Sequence, residues 1–201
     1  MIHGIINVYK EKGYTSHDVV ARLRGILGQK RIGHTGTLDP DAEGVLPVCL
    51  GKATKVCELL ADWDKTYRAI LLLGQVTDTQ DVSGEILETR EVTASIKEVY
   101  EAIQSFKGEY AQVPPMYSAL KVNGKKLYEL AREGKEVERR ARPVQIYSLE
   151  VLDCRLPVIT LRVSCSKGTY IRTLCADIGA RAGCGGTMQS LKRTRVGQFV
   201  L

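Results

Sequence analysis

The sequence lacks any apolar run near the ~18 residues that a membrane-crossing helix needs. Its opening stretch, Met1-Ile2-His3-Gly4-Ile5-Ile6-Asn7, is too short for a secretory hydrophobic core and carries no cleavage-like site. No Arg-rich transit peptide is visible. The six cysteines are Cys49, Cys57, Cys154, Cys165, Cys175 and Cys184, and no two lie within four residues. A zinc-type CxxC pair is therefore absent. A chain of this length needs no disulfide staples, and Cys49, Cys165 and Cys175 sit in apolar patterns that predict buried thiols. A reducing cytoplasm is the economical expectation. There is no internal repeat and no low-complexity segment.

What is present is ordinary for a packed protein: 201 residues, 44% of them apolar. That is one large domain or two small ones. The net charge of +6 is unevenly placed. Residues 1–100 hold 12 basic and 14 acidic side chains, and residues 101–201 hold 17 and 9. A basic half fits either a polyanionic partner or a solvated face.

Periodicity predicts the elements coarsely. Gly4 to Tyr9 reads as a strand. Thr15 or Ser16 caps a helix whose stripe is Val19, Val20, Leu23, Ile26 and Leu27, ended by Gly28. Residues 29–43 read as a loop, and Val45 to Leu50 as a strand interrupted by Pro47. Lys52 to Ala61 reads as a helix, and Thr66 to Leu73 and Gly84 to Thr89 as strands. Ser95 and Glu98 form a capping box for a helix facing inward with Ile96, Val99, Tyr100, Ile103 and Phe106. Asn123-Gly124 signals a hairpin, followed by a short helix over 127–132. Ile159, Leu161, Val163 and Cys165 alternate as a strand, and Ile171, Leu174, Cys175 and Ile178 form a helix ending near Gly183. Without regular βαβ alternation, the fold class is α+β, with a central mixed, mostly antiparallel sheet flanked by helices and loops.

One loop concentrates chemistry. Gly33-His34-Thr35-Gly36-Thr37-Leu38-Asp39-Pro40-Asp41-Ala42-Glu43-Gly44 holds three carboxylates and an imidazole. A calcium loop starting at Asp39 would place its last, bidentate ligand at Leu50, so that reading fails. A phosphate-binding loop around Gly51-Lys52 fails at Leu46 and Ala53. Gly33 and Gly36 weakly echo an RNA-clamping GxxG loop. Taken alone, the segment also fits an acidic turn in water.

Gly33 to Pro40 resembles the active-site motif of the TruB-type pseudouridine synthases, which isomerise a uridine in the T-loop of tRNA. The resemblance spans nearly the whole chain. It includes Asn7 to Asp18, Lys65-Thr66-Tyr67-Arg68, Val113 to Lys121 with Lys125 to Tyr128, Ser166 to Thr173, and Leu191-Lys192-Arg193. It implies a pseudouridine synthase fold over residues 1–201, with an RNA-gripping insertion at about 107–142. The reaction breaks the N1–C1′ bond and rejoins the uracil through C5, and the resemblance implies no cofactor and no metal. It puts Asp39 at the reaction centre, acting on the ribose or on a sugar proton. Buried charge needs a partner, and the resemblance supplies Arg172. Read by itself, Arg172 fits an arginine on a helix surface, as most are; the Lys167-Gly168-Thr169-Tyr170 context reverses that reading.

By the same resemblance Tyr67 stacks on the target uracil and serves proton transfer, although its strand pattern also suits a core tyrosine. The base must be flipped out of its stack, and His34 occupies the vacated space. Tyr170 and Leu191 line the uracil pocket, and Lys10 supports it. Asp41 and Glu43 are read as solvent-facing. Met116, Tyr117 and Lys121 contact RNA from the insertion. The partner implied is tRNA, through its T-stem and loop, at position U55 in tRNA numbering. No membrane and no obligatory protein partner are implied, and the chain is expected to be a monomer.

Two departures stand out. Glu11 replaces the proline usual after the first-motif lysine. The sequence stops at Val200-Leu201, where the family commonly continues into a PUA-like RNA-binding domain, so tRNA binding is expected to be weaker. Two other functions compete: an RNA-folding chaperone for tRNA, and a guide-RNA branch of the same superfamily. The lack of an added partner-docking segment argues against the latter.

Overall fold

The computed structural model describes residues 1–201. The chain begins with β1 (Gly4–Lys10), α1 (Ser16–Leu27), β2 (Ile32–His34) and β3 (Glu43–Leu50). A 3₁₀ turn (Gly51–Val56) leads into α2 (Cys57–Ala61), β4 (Lys65–Leu73), β5 (Gln75–Thr77) and β6 (Ile86–Thr89). Then come α3 (Ile96–Gln104), β7 (Gly108–Gln112), β8 (Lys121–Val122), β9 (Lys125–Lys126) and α4 (Leu127–Arg132). The last third is β10 (Arg142–Arg155), β11 (Val158–Cys165), α5 (Ile171–Arg181), β12 (Gly186–Val196) and β13 (Phe199–Val200). No helix is long and apolar enough to cross a membrane, and all six cysteines are free.

Local rules explain the helix starts. Thr15 and Asp18 exchange the two bonds of a capping box at α1, and Ser95 and Glu98 do so at α3. The hairpin between β8 and β9 turns through Asn123 and Gly124 at φ 51° and 83°, the left-handed conformation this dipeptide favours.

The main sheet runs β1-β3-β12-β4-β11-β10-β7, with β13 on β12 and β2 on β3. Every pairing is antiparallel except β12 with β3, so the sheet is mixed and the α+β class holds. One core of 21 buried residues lies between the sheet and the helices α3 and α5, with Tyr67, Ala69, Leu71 and Leu73 of β4 facing Leu174, Cys175 and Ile178 of α5. Truncating a buried leucine such as Leu71 to alanine costs about 2–5 kcal/mol. A smaller core, Val20, Ile32, Leu46, Val48 and Leu50, joins α1 to β2 and β3. The loop between β2 and β3 bridges the two: Ile32 belongs to the small core, Leu38 and Ala42 to the large one.

Several expectations are corrected. β3 runs unbroken through Pro47, because the Thr35 N–H bonds the Pro47 carbonyl and turns that residue's main chain toward the end of β2, away from its β1 partner Asn7. Residues 32–34 of the expected loop form β2. Residues 52–61 divide between the 3₁₀ turn and α2. Ile26, Ile96 and Tyr100 face outward, and α3 buries Val99, Ala102 and Ile103 instead. Strands β7, β10 and β12 carry no strand expectation from the sequence. β7 pairs with β10 in the sheet, so of the 107–142 region only Lys107 and residues 113–141 stand outside it.

Candidate active site

Asp39 stands at a turn closed by the Ala42 N–H on its own carbonyl, at 3.1 Å. Buried donors hold this loop by its backbone. Ser16, capped into α1, accepts from the Leu38 N–H at 2.9 Å and donates to the Leu38 carbonyl at 3.2 Å. Lys10, fully buried at the end of β1, donates to the carbonyls of Glu11 (2.9 Å), Tyr14 (2.7 Å) and Pro40 (3.1 Å). Burial lowers the Lys10 pKa, opposed by Asp39 and Asp41. The Glu11 side chain lies in solvent.

Arg172 comes from the first turn of α5. Its side chain, only 7% exposed, meets that of Asp39, 41% exposed, with Nε to Oδ2 at 3.0 Å. Nη2 donates to the Tyr117 carbonyl at 2.9 Å and Nη1 to the Thr79 carbonyl at 3.2 Å, with Asp81 Oδ2 at 3.8 Å. One planar fork thus joins Asp39 to two other segments, a task suited to arginine rather than lysine. This ion pair engages Asp39 Oδ2, and Oδ1 takes part in no ion pair. A cleft of about 530 Å³ opens over this pair, lined by Asp39, Arg172, Asp81, Tyr117, Arg132 and Leu191 among others.

The other expected residues take distinct places. Tyr67 is buried in the large core under the loop; burial pushes its phenol up to about 12, so the ring is neutral at physiological pH. Tyr170 precedes α5 and is half-buried, its phenol likewise raised by burial. His34 ends β2, where burial, then Arg193 and His17, lower its pKa, and its Nδ1 accepts from the Gly36 N–H at 3.3 Å. Met116 is half-buried. Lys121 lies exposed on β8 and does not line the cleft. Asp41 is exposed as expected, but Glu43 is not free: it pairs with Lys192 across β3 and β12 at 2.8 Å.

Three contributors were given no role by sequence reasoning, although Arg193 stands in one of the motifs. The turn at 79–81 supplies the Thr79 carbonyl and the Asp81 carboxylate to Arg172. Gln112, 1% exposed, accepts from the Tyr170 N–H at 2.8 Å and donates to the Tyr170 carbonyl at 3.0 Å, tying β7 to the start of α5. Arg193 is buried in β12; a period of two places it on the Leu191 side, the signal that could have marked it.

Comparison with known proteins places the chain in a family. Residues 24–171 match the TruB family pseudouridylate synthase N-terminal domain, and residues 172–200 match the tRNA pseudouridylate synthase B C-terminal domain. The chain belongs to the TruB family of pseudouridylate synthases. The tRNA pseudouridine synthase B of Lachnoclostridium phytofermentans is 61% identical over 208 residues, covering 100% of this chain and 68% of that protein. Its counterpart in Clostridium novyi is 56% identical over 198 residues, covering 98% and 68%. A chain in the crystal structure of a Cbf5-Nop10-Gar1 complex superposes with a TM-score of 0.77 at 36% identity, over 98% of this chain and 50% of that one. This chain therefore spans about two thirds of those curated relatives and half of that structural neighbour.

Proposed function

We propose that the chain isomerises a uridine of the tRNA T-loop, U55 in tRNA numbering, to pseudouridine. The observation that carries this reading is the Asp39–Arg172 pair at the floor of an open cleft, with one carboxylate oxygen held and the other in no ion pair. The flipped nucleotide enters between Leu191 and Tyr117, and Asp39 Oδ1 meets its ribose. The N1–C1′ bond breaks, the uracil turns, C5 bonds to C1′, and the C5 proton is exchanged for one at N1, so no atoms are gained or lost. Arg172 orients the carboxylate. The neutral His34 ring suits the apolar gap left in the RNA stack, because a charged ring would resist it. Residues 113–141, with their exposed lysines and arginines, grip the T-stem phosphates.

The test is to mix the purified chain with unmodified tRNA and no added cofactor, and to map pseudouridine by carbodiimide block of primer extension. Modification at U55 by the wild type and none by Asp39→Asn is expected. No product from the wild type, or equal product from Asp39→Asn, refutes the reading. Refolding of tRNA by Asp39→Asn would reveal a chaperone activity independent of the chemistry.

A further inference from the structure

Arg193 closes the Leu191-Lys192-Arg193 motif, and nothing in the chemistry above uses it. It is 1% exposed, in the middle of a central strand. It takes part in no ion pair, although a buried guanidinium without a counter-ion is costly unless its N–H groups are satisfied. Here three carbonyls satisfy them: Nε donates to Val45 at 2.8 Å, Nη1 to Thr37 at 3.2 Å and Nη2 to Gly36 at 3.2 Å. Gly36 and Thr37 lead into Asp39, and Val45 lies just beyond the loop's far end. A single rigid fork therefore spans the two roots of the Asp39 loop.

The Arg193 backbone is fixed as tightly. β12 pairs Arg193 with Gly44 of β3 on one side and with Tyr67 of β4 on the other. A Cβ on Gly44, which sits at φ +117°, would overlap the Arg193 carbonyl, so only glycine permits this approach. The Arg193 charge also partly opposes the effect of burial on the Tyr67 phenol. The loop bearing Asp39 and the strand bearing Tyr67 thus take their spacing from one residue.

We propose that Arg193 is a positioning residue for the isomerisation, fixing the Asp39 loop over β12 and the separation of Asp39 from Tyr67 without touching substrate. The proposal rests on the pseudouridine-forming reading, and wild type in the same assay separates the two. Arg193→Lys keeps the charge and loses the fork; Arg193→Gln loses the charge and keeps an amide donor. Single-turnover pseudouridine formation at saturating unmodified T-arm RNA is measured beside RNA affinity by filter binding and thermal melting. For both variants the rate is expected to fall about 10- to 100-fold while affinity stays within about twofold, the signature of a misplaced reacting group.

A wild-type rate in Arg193→Lys overturns the proposal, since charge alone would then suffice. A fall in affinity matching the fall in rate overturns it in favour of RNA binding. If neither variant folds, Arg193 is an architectural residue and the proposal is wrong. If wild type itself makes no pseudouridine, the functional reading fails first and takes the positioning role with it.

Discussion

The Asp39 loop and the segment 113–141 face the same cleft and are held by opposite means. The loop is gripped by buried groups reading its backbone: Lys10, Ser16 and Arg193 together contact residues on both sides of Asp39. The segment carries two exposed ion pairs, Lys125–Glu133 at 3.8 Å and Lys135–Glu133 at 2.8 Å, and one between the largely buried Arg139 and the exposed Glu136 at 2.9 Å. Each exposed pair is worth about 0–1 kcal/mol and is screened by salt. Little beyond Leu127 and Leu130 anchors the short helix there. On the proposed function, the loop is built for one geometry, as the chemistry would require, and the segment for adjustable contact, as a grip on RNA would require. Arg172 is where they meet, holding Asp39 with one nitrogen and the Tyr117 carbonyl with another.

Breaking that junction gives the largest expected effect. Arg172→Lys keeps a cation, but one ammonium cannot reproduce a planar fork bonded to Asp39, Thr79 and Tyr117. Pseudouridine formation is expected to drop on the order of 10²–10³-fold under single turnover. RNA affinity should fall as well, because the root of the segment is released. A variant that loses rate and keeps wild-type affinity would show that the two regions are not coupled through Arg172.

Ser16→Ala attacks the loop alone. It leaves the Leu38 N–H and C=O, both bonded to a buried hydroxyl, without that partner, at a cost of about 1–3 kcal/mol. Thermal melting should record that loss, and the single-turnover rate should fall while the salt dependence of RNA binding is unchanged. A full wild-type rate in the destabilised variant would mean that the loop tolerates slack.

The same contrast explains what could be read in advance. The N-cap at Thr15 or Ser16, the Ser95–Glu98 capping box, the Asn123-Gly124 turn and the alternation of β11 are local signals, and they located α1, α3, the hairpin and the strand. β12 was not legible, because Lys192, Arg193 and Arg195 make a central strand look like a surface. Bulges at Met188/Ser190 and Arg193/Arg195 also break its period of two. β10 is broken in the same way at Ile146/Ser148 and Val151/Asp153. Asp39 and Arg172 were legible only through their motifs' resemblance to a family. Gln112 and the turn at 79–81 act through main-chain bonds, which depend on which backbones meet and leave no residue pattern behind, whereas Arg193 leaves only its period of two with Leu191.

On the segment, effects should be smaller and electrostatic. Lys121→Ala removes an exposed cation of β8 without touching the cleft. If it neutralises one phosphate, the slope of log affinity against log salt should fall by about 0.7–0.9, with several-fold weaker binding at low salt and an unchanged saturating rate. An unchanged slope would remove Lys121 from the RNA-binding surface.

The smallest effect concerns a buried charge on the same helix as Arg172 that lacks what Arg193 has. Asp177 is half-buried near Tyr110, makes no hydrogen bond, and burial pushes its carboxyl up to about 6 from 3.8. Its folded form therefore favours the proton more than its unfolded form does. Below the unfolded value both states are protonated and no penalty exists. The penalty grows as pH rises from about 4 to about 6 and is constant above that. Moving the carboxyl from 3.8 to about 6 corresponds to about 3 kcal/mol, and partial exposure reduces it to about 1 kcal/mol. Asp177→Asn, which imitates the protonated acid, should raise the melting temperature by about 2–4 °C at pH 7.5. The gain should vanish toward pH 4, and the rate of pseudouridine formation should not change. A gain independent of pH would show that the Asp177 charge is already well solvated, and that uncompensated burial on this side of the molecule costs nothing.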